Sequence, residues 1–490
     1  MLKIKNGRVY DPKNGINGEV KDIYYENGRI AQPTEPATET FDASGCVVMA
    51  GGIDVHSHIA GEPLALLRDA KSPAVPTTNR VGSEYAHMGY TLAVNAAMPA
   101  LAARHTISEE NAIPALDMAN LVWVGENPVL LELAERGSDE ELDQYLSWLL
   151  AVSGGWGLKL INPREGQADG ELPYRKLIDR LIEANARLKL PHSLHLHHPF
   201  LGRPDAYEPI AETIKQTEGR PLHFAHLQFY GYSRTDDGKM SSAAEQLANL
   251  VNANKNITCD VGAVTFGPAA AVTADANFAK KLGRGKRGFQ SQWWELDGAF
   301  GVLPLKYEAD KIAGAVQFLT GLELMLMVED ASRIFLTTDH PNGGPFTDYP
   351  FLIRLLMDKS FRDEQIQKLN PKAVSQSAVP SISREYSLYE IAEITRSGPA
   401  AVLGLQNRGH LGAGAEGGVA VYREQANKQT MFREPAAVFR GETAVLIPKE
   451  RAFDEDWVER RTISLRSGNA FTARLEDDFL RSHRVARQEV

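Results

Sequence analysis

The sequence predicts an α/β protein: a parallel (β/α)8 barrel of the TIM type, with a small composite β domain built from the N- and C-terminal segments. Three observations predict it. From about residue 46 to 345, eight apolar strand-like runs alternate with stretches whose apolar residues recur at helical spacing. Side chains able to bind a metal recur at the C-terminal ends of those runs, the end at which barrel enzymes keep their chemistry. An open, doubly wound sheet is the alternative. Residues 1–45 read instead as short strands joined by turns, a unit to be completed from elsewhere in the chain. The expected boundaries are 1–45 with 405–490 for the small domain and 46–404 for the barrel, with an insertion around 266–329.

In chain order, Lys3-Ile4-Lys5 leads to the turn Asn6-Gly7, and Arg8-Val9-Tyr10 leads to Asp11-Pro12. Ile23-Tyr24-Tyr25 is closed by Asn27-Gly28, a hairpin signal. An apolar run then begins at Cys46, passes Gly51-Gly52 and ends in Asp54-Val55-His56-Ser57-His58. Residues two apart on a strand share a face, so His56 and His58 point the same way and offer half of a metal site. Two ordinary half-buried histidines are the plainer account, and the strand context with Asp54 favours the metal. The later strand candidates are 91–96, 121–125, 157–161, 193–197, 222–228, 257–264 and 333–338, with helices such as 139–152 and 174–188 between them. The interval 266–329 is long for one connection, carries a basic run at 280–287 and the pair Trp293-Trp294, and is expected to lie over the barrel mouth. A solvated turn accounts for the basic run better than a nucleotide or nucleic-acid patch. Residues 388–403 read as one helix, after which Gly409-His410-Leu411-Gly412 and 419–422 return to strand character.

Composition narrows the function. A chain of 490 residues with a net charge of −10 has no basic excess for non-specific nucleic-acid binding and nothing to draw it to an anionic membrane surface. Cys46 and Cys259 are the only cysteines, which excludes a disulfide framework and points to a reducing compartment. No apolar stretch reaches membrane-spanning length and residues 1–5 open a strand, so the expected location is the cytoplasm.

The candidate ligands follow the strands. Lys159 is a lone cation in the apolar run 157–161; it is either salt-bridged to a carboxylate at the strand end or neutral enough to add carbon dioxide and become an anionic carbamate. His195 and His197 share a face, whereas His223 and His226 fall on opposite faces of a regular strand. His197 and His226 lie nearest their strand ends and are the chosen ligands, with His195 and His223 as packed, hydrogen-bonded histidines. Asp339 closes the last run and can bind a metal and receive a proton.

The order His-x-His, Lys, His, His, Asp resembles the amidohydrolase superfamily. More narrowly, Lys5-Asn6-Gly7-Arg8-Val9-Tyr10-Asp11-Pro12, the stretch from Gly51 to Gly61, and Leu336-Thr337-Thr338-Asp339-His340-Pro341-Asn342-Gly343-Gly344-Pro345-Phe346-Thr347 resemble the A subunit of formylmethanofuran dehydrogenase and of the related bacterial formyltransferase/hydrolase complex. The resemblance runs over essentially the whole chain. It implies two zinc ions held by His56, His58, His197, His226 and Asp339 and bridged by carboxylated Lys159, with Asp339 as the catalytic proton carrier. It also implies hydrolysis of an N-formyl group from a methanofuran-type carrier to give formate, alongside a formyltransferase D subunit and B and C subunits. An archaeal-type subunit that condenses formate with methanofuran, a non-catalytic scaffold subunit, and a free-standing hydrolase of cyclic amides are the alternatives. Two stretches depart from the family pattern. His198-Pro199-Phe200-Leu201-Gly202 replaces Cys-Asn-Asn-Leu-Gly after the fifth strand, leaving His198 as a competing ligand, and Glu416-Gly417-Gly418 replaces an Asp-Ala-Asp.

Overall fold

The computed structural model describes residues 1–33, 36–125, 127–161, 174–273, 301–441, 443–445 and 462–463. Eight parallel strands follow one another in chain order: β1 (Gly52–Ser57), β2 (Tyr90–Met98), β3 (Asp117–Val124), β4 (Gly157–Ile161), β5 (His195–His197), β6 (Leu222–Phe224), β7 (Ile257–Asp260) and β8 (Ile334–Phe335). All nine residues of β2 and all eight of β3 are buried, as expected of parallel strands covered by helices outside and packed side chains inside. β8 is short, but the chain beyond it keeps the barrel together. The Ala263 N–H donates to Thr337 O (2.7 Å), the His58 N–H donates to His340 O (2.7 Å), and Ser57 bridges His340, so the last strand meets the first.

The connecting helices form where apolar spacing and caps agree. Asp139–Ser153 starts on a capping box between Ser138 and Glu141 and stops at Gly154, whose φ of 64° lets the chain leave the helix. The stretch read as one helix from 388 to 403 is three pieces: Leu388–Ala392, a wide π turn Glu393–Ser397, and Gly398–Val402. Pro399 cannot donate to the preceding turn and its ring crowds that turn's carbonyl, so the Gly398 N–H reaches back to Glu393 O instead.

A second sheet joins strands from residues 2–50 to strands from residues 419–445. Its strand order is Thr443–Val445, Pro435–Arg440, Val419–Arg423, Cys46–Ala50, Leu2–Asp11, Ile16–Glu26, Arg29–Ala31, with Glu39–Asp42 also pairing with Leu2–Asp11. The hairpin turns at Asn27 and Gly28, both at positive φ. The run from Cys46 is therefore two strands in two sheets, dividing at Gly51. A Cβ there would lie 2.2 Å from Thr91 Oγ1 and 2.3 Å from Gly417 O, so only glycine lets the chain pass between the sheets. Gly409–Gly412 is loop rather than strand: the Leu411 N–H donates to Asp11 Oδ2 (2.8 Å) and the segment has no ladder partner among the described residues.

The long interval after β7 begins as an antiparallel hairpin, Gly267–Thr273 against Gly301–Tyr307, and ends in a regular barrel helix, Ile312–Met327. The basic run at 280–287 and Trp293-Trp294 lie outside the described residues. No helix among the described residues is long and apolar enough to cross a membrane.

Asp117, the first residue of β3, is buried and ion-paired to Arg408 (2.6 Å) and Arg440, which tie the returning C-terminal segment to the end of the barrel away from the site. Removing the carboxylate leaves buried guanidinium charge, so Asp117→Ala should lower the unfolding free energy by about 3–5 kcal/mol. A denaturant midpoint unchanged from wild type would refute that anchoring role.

Candidate metal centre

Strand register decides which side chains share a level inside the barrel. His195 of β5 pairs with Lys159 of β4 and with His223 of β6, so these three enter side by side, and His197 enters one level nearer the mouth. At the lower level the carboxylate of Asp260 gathers the imidazoles. Its Oδ2 lies 3.0 Å from His56 Nδ1, 3.2 Å from His223 Nε2 and 3.6 Å from His195 Nε2. Its Oδ1 accepts from the His226 N–H (2.9 Å) and the Thr337 hydroxyl (2.8 Å). His195 continues to His192 (3.1 Å), whose other ring nitrogen sits 2.8 Å from Val402 O.

At the upper level the donor atoms face a cavity of about 590 Å³ that opens to the outside. His56 Nε2 and His58 Nε2 lie 3.0 and 3.1 Å from Asp339 Oδ1. Lys159 Nζ is 3.3 Å from His56 Nε2, and His226 Nε2 is 2.9 Å from His197 Nδ1. All six of these side chains line the cavity; Leu201, Phe229, Val272 and Leu305 make its apolar wall, and Tyr307 and Asn342 add polar groups. His226 reaches this level because β6 ends at Phe224 and His226 itself takes a left-handed conformation, φ 35°. Asp339 is left-handed too, φ 48°. Such backbone costs of the order of 1–3 kcal/mol per residue and persists only where its surroundings enforce it.

These groups fit a metal. The donor atoms of His56, His58 and Asp339 lie within 4.8 Å of one another, as metal ligands do. Burial keeps His197 well below and His226 at about 3, so both imidazoles are neutral and carry a free lone pair at neutral pH. His197 Nε2 and His226 Nδ1 are buried with no protein partner among the described residues, a cost that polar atoms away from ligands rarely bear. A second cluster, His56, His195 and Asp260, is closed by its own hydrogen bonds and does not open on the cavity apart from His56. It holds the rings from behind, as a carboxylate behind a ligating histidine does.

The amidohydrolase family pattern matches residues 39–443. The chain belongs to the amidohydrolase family. It is 37% identical to the A subunit of the formyltransferase/hydrolase complex Fhc of Methylorubrum extorquens, over 95% of this chain and 91% of that protein. It is 38% identical to protein FwdA of Methanocaldococcus jannaschii, over 86% of this chain and 82% of that one. Among solved structures it resembles a chain of the formyltransferase/hydrolase complex (FhcABCD) from Methylorubrum extorquens in complex with methylofuran, with a TM-score of 0.89 and 36% identity, covering 98% of this chain and 94% of that one.

In this amidohydrolase His198, the competing candidate, is buried behind the cavity wall, where its Nε2 meets Thr213 Oγ1 at 3.1 Å. The unusual stretch after β5 reaches the cavity only through Leu201. Gly343-Gly344 does not line the cavity; a Cβ at Gly344 would fall 2.1 Å from Thr265 Oγ1, so the pair packs the loop after β8 against the loop after β7. The sequence reading missed Asp260, although it closes an apolar run just as Asp339 does, and it missed Tyr307 and Asn342, for which no spacing signal exists.

Burial sets the electrostatics. It lowers Lys159 to about 8 against the pull of Asp260 and Asp339. It disfavours the Asp339 and Asp260 carboxylates too, but surrounding imidazoles and hydrogen bonds outweigh it and hold both well below the usual range. It also works against protonation of His56, which Asp260 and Asp339 nevertheless raise. Lys159 gives a stability test. The unfolded chain keeps the ammonium proton up to about 10.5, whereas the folded metal-free chain gives it up near 8. The unfolded state binds more protons between those values, so stability should rise with pH across that window. Urea midpoints of chelator-treated protein should climb from pH 8 to 10.5, and Lys159→Met should flatten the climb; an identical climb in the variant would assign it to other groups.

Proposed function

We propose that this amidohydrolase releases formate from an N-formylated methanofuran-type carrier, as the A subunit of a formyltransferase/hydrolase complex with B, C and formyltransferase D subunits in the cytoplasm. The observation that carries the proposal is the alignment with the Fhc A subunit over 95% of this chain and 91% of that protein. The cavity supports it, since it joins a cluster of metal-type donors to an apolar wall suited to a furan ring.

In this reading His56, His58 and Asp339 would hold one metal and His197 and His226 a second, and Lys159, as a carbamate, would serve as a further anionic ligand. Zinc ions would supply Lewis-acid polarisation of the formyl oxygen and lower the pKa of a water toward about 7. Burial prepares Lys159 for its part, because an amine lowered to about 8 is partly neutral at physiological pH and can add carbon dioxide with loss of a proton. The water oxygen bonds to the formyl carbon, Asp339 takes the water's proton, the C–N bond breaks, and Asp339 returns that proton to the leaving amine. Leu201, Phe229 and Leu305 exclude solvent from the carrier's ring. The 38% identity to FwdA favours a second reading, an archaeal-type subunit that condenses formate with methanofuran at the same groups.

The test is formate release from N-formylfurfurylamine with zinc and bicarbonate present. Wild type should release formate, and Asp339→Asn should be slower by at least about 100-fold, the scale of general acid–base catalysis. Equal rates would remove Asp339 from the chemistry. No release by assembled complex in which this chain carries about two metals would sink the hydrolase reading. Removal of metal with a chelator should abolish release, and zinc should restore it.

A further inference from the structure

We propose that Asn342 is a positioning residue that selects the working oxygen of Asp339 and couples it to the hairpin over the cavity. The proposal rests on the hydrolase reading for its kinetic consequence but not for its structural one. Asn342 Nδ2 donates to Asp339 Oδ1 at 3.0 Å, and the Val272 N–H donates to Asn342 Oδ1 at 2.7 Å. A carboxylate can only accept here and a backbone N–H can only donate, so the two contacts leave the amide a single orientation. The residue is held further by its own N–H to Asp339 O (2.7 Å) and by the Tyr307 hydroxyl donating to its carbonyl (2.9 Å). The Ala270 N–H to Pro341 O (3.0 Å) completes the seam. Three hydrogen bonds thus join Gly267–Thr273 and Gly301–Tyr307 to the loop after β8.

The consequence lies in which carboxylate oxygen is occupied. Asp339 Oδ1 meets His56 Nε2, His58 Nε2 and Asn342 Nδ2, all within 3.0–3.1 Å, whereas Oδ2 has no hydrogen-bond partner among the described residues. The Asn342 amide therefore pins Oδ1 and stops the carboxylate from turning, leaving Oδ2 to carry the proton. The pin depends on the hairpin. With Val272 lifted away the amide can turn over, placing its oxygen against Asp339 Oδ1, a repulsive pair of acceptors.

Two substitutions separate this role from simple anchoring of the hairpin. Asn342→Asp keeps an acceptor for the Val272 N–H and loses the donor to Asp339; Asn342→Ala loses both. Positioning predicts that Asn342→Asp is the worse enzyme, with kcat about tenfold or more below Asn342→Ala and KM within about threefold of wild type. Anchoring alone predicts the reverse order, and kcat of Asn342→Asp equal to or above that of Asn342→Ala overturns the proposal. A second measurement does not need activity. In the full-length, metal-free chain, coupling is reciprocal, so Asp339→Ala should speed hydrogen exchange in the peptide spanning Gly267–Thr273 several-fold, as Asn342→Ala does. Unchanged exchange in Asp339→Ala overturns the coupling whether or not the wild type releases formate. Absence of formate release by wild type bears on the hydrolase reading alone.

Discussion

The carboxylate of Asp260 is the constraint on which the rest of the site depends. It is fully buried, and an ionised carboxylate in that position is tolerated only with its lone pairs filled. It fills them from four directions: His56 on β1, His223 on β6, the His226 N–H in the loop beyond β6, and the Thr337 hydroxyl beyond β8. Each bond fixes something nearer the mouth. Holding His56 Nδ1 aims Nε2 at Asp339, and holding the His226 N–H fixes the left-handed bend that turns its ring into the cavity. Holding Thr337 places the segment that carries Asp339. One buried anion thus sets the directions of side chains that arrive from strands far apart in the chain.

The upper level is made of interruptions. Regular β geometry would send His226 to the outside of the barrel, and the chain after β8 would not turn Asp339 toward His56. Both positions are left-handed instead, and the strain is sustained by bonds already required elsewhere: Asp260 under His226, and Asn342 and the two imidazoles around Asp339. The strands therefore supply position while the residues just past them supply aim. The hairpin after β7 adds the apolar wall and reaches back to the loop after β8, so the roof of the cavity and the acid at its floor share one residue.

The small sheet contributes by restraint. Cys46–Ala50 leaves it and becomes β1 within one glycine, so the first histidine pair starts from a strand anchored on both sides. Arg396, fully buried in the π turn, donates to Tyr422 OH (2.6 Å) and Ala50 O (3.3 Å), both in the small sheet, and so ties the segment after β8 to that sheet where β1 begins. A guanidinium so placed, with ring faces of Tyr90 and Tyr422 near it, fixes how β1 enters the barrel.

Much of this was legible in the chain itself. Alternating apolar runs and helical spacing are local properties, and they pointed to the barrel and placed His56, His58 and Asp339 at the ends of strand-like runs and Lys159 within one. The hairpin at Asn27-Gly28 was equally local, because it depends on two residues able to take positive φ. What a pattern of period two could not decide was which member of each later histidine pair faces the cavity. His223 points into the barrel as a regular strand residue, and His226 joins it on the inside through a bend enforced by Asp260, thirty-four residues away in sequence. The division of the Cys46 run at Gly51 was hidden for the same reason, since both halves are equally apolar and only the closeness of Thr91 and Gly417 shows that they lie in different sheets. Asn342 and Tyr307 carry no signal of their own; their place comes from a hairpin that folds back across the mouth. Local chemistry determined which residues could serve, and long-range hydrogen bonds to buried charge decided where they point, because direction inside a barrel is set by partners on other strands.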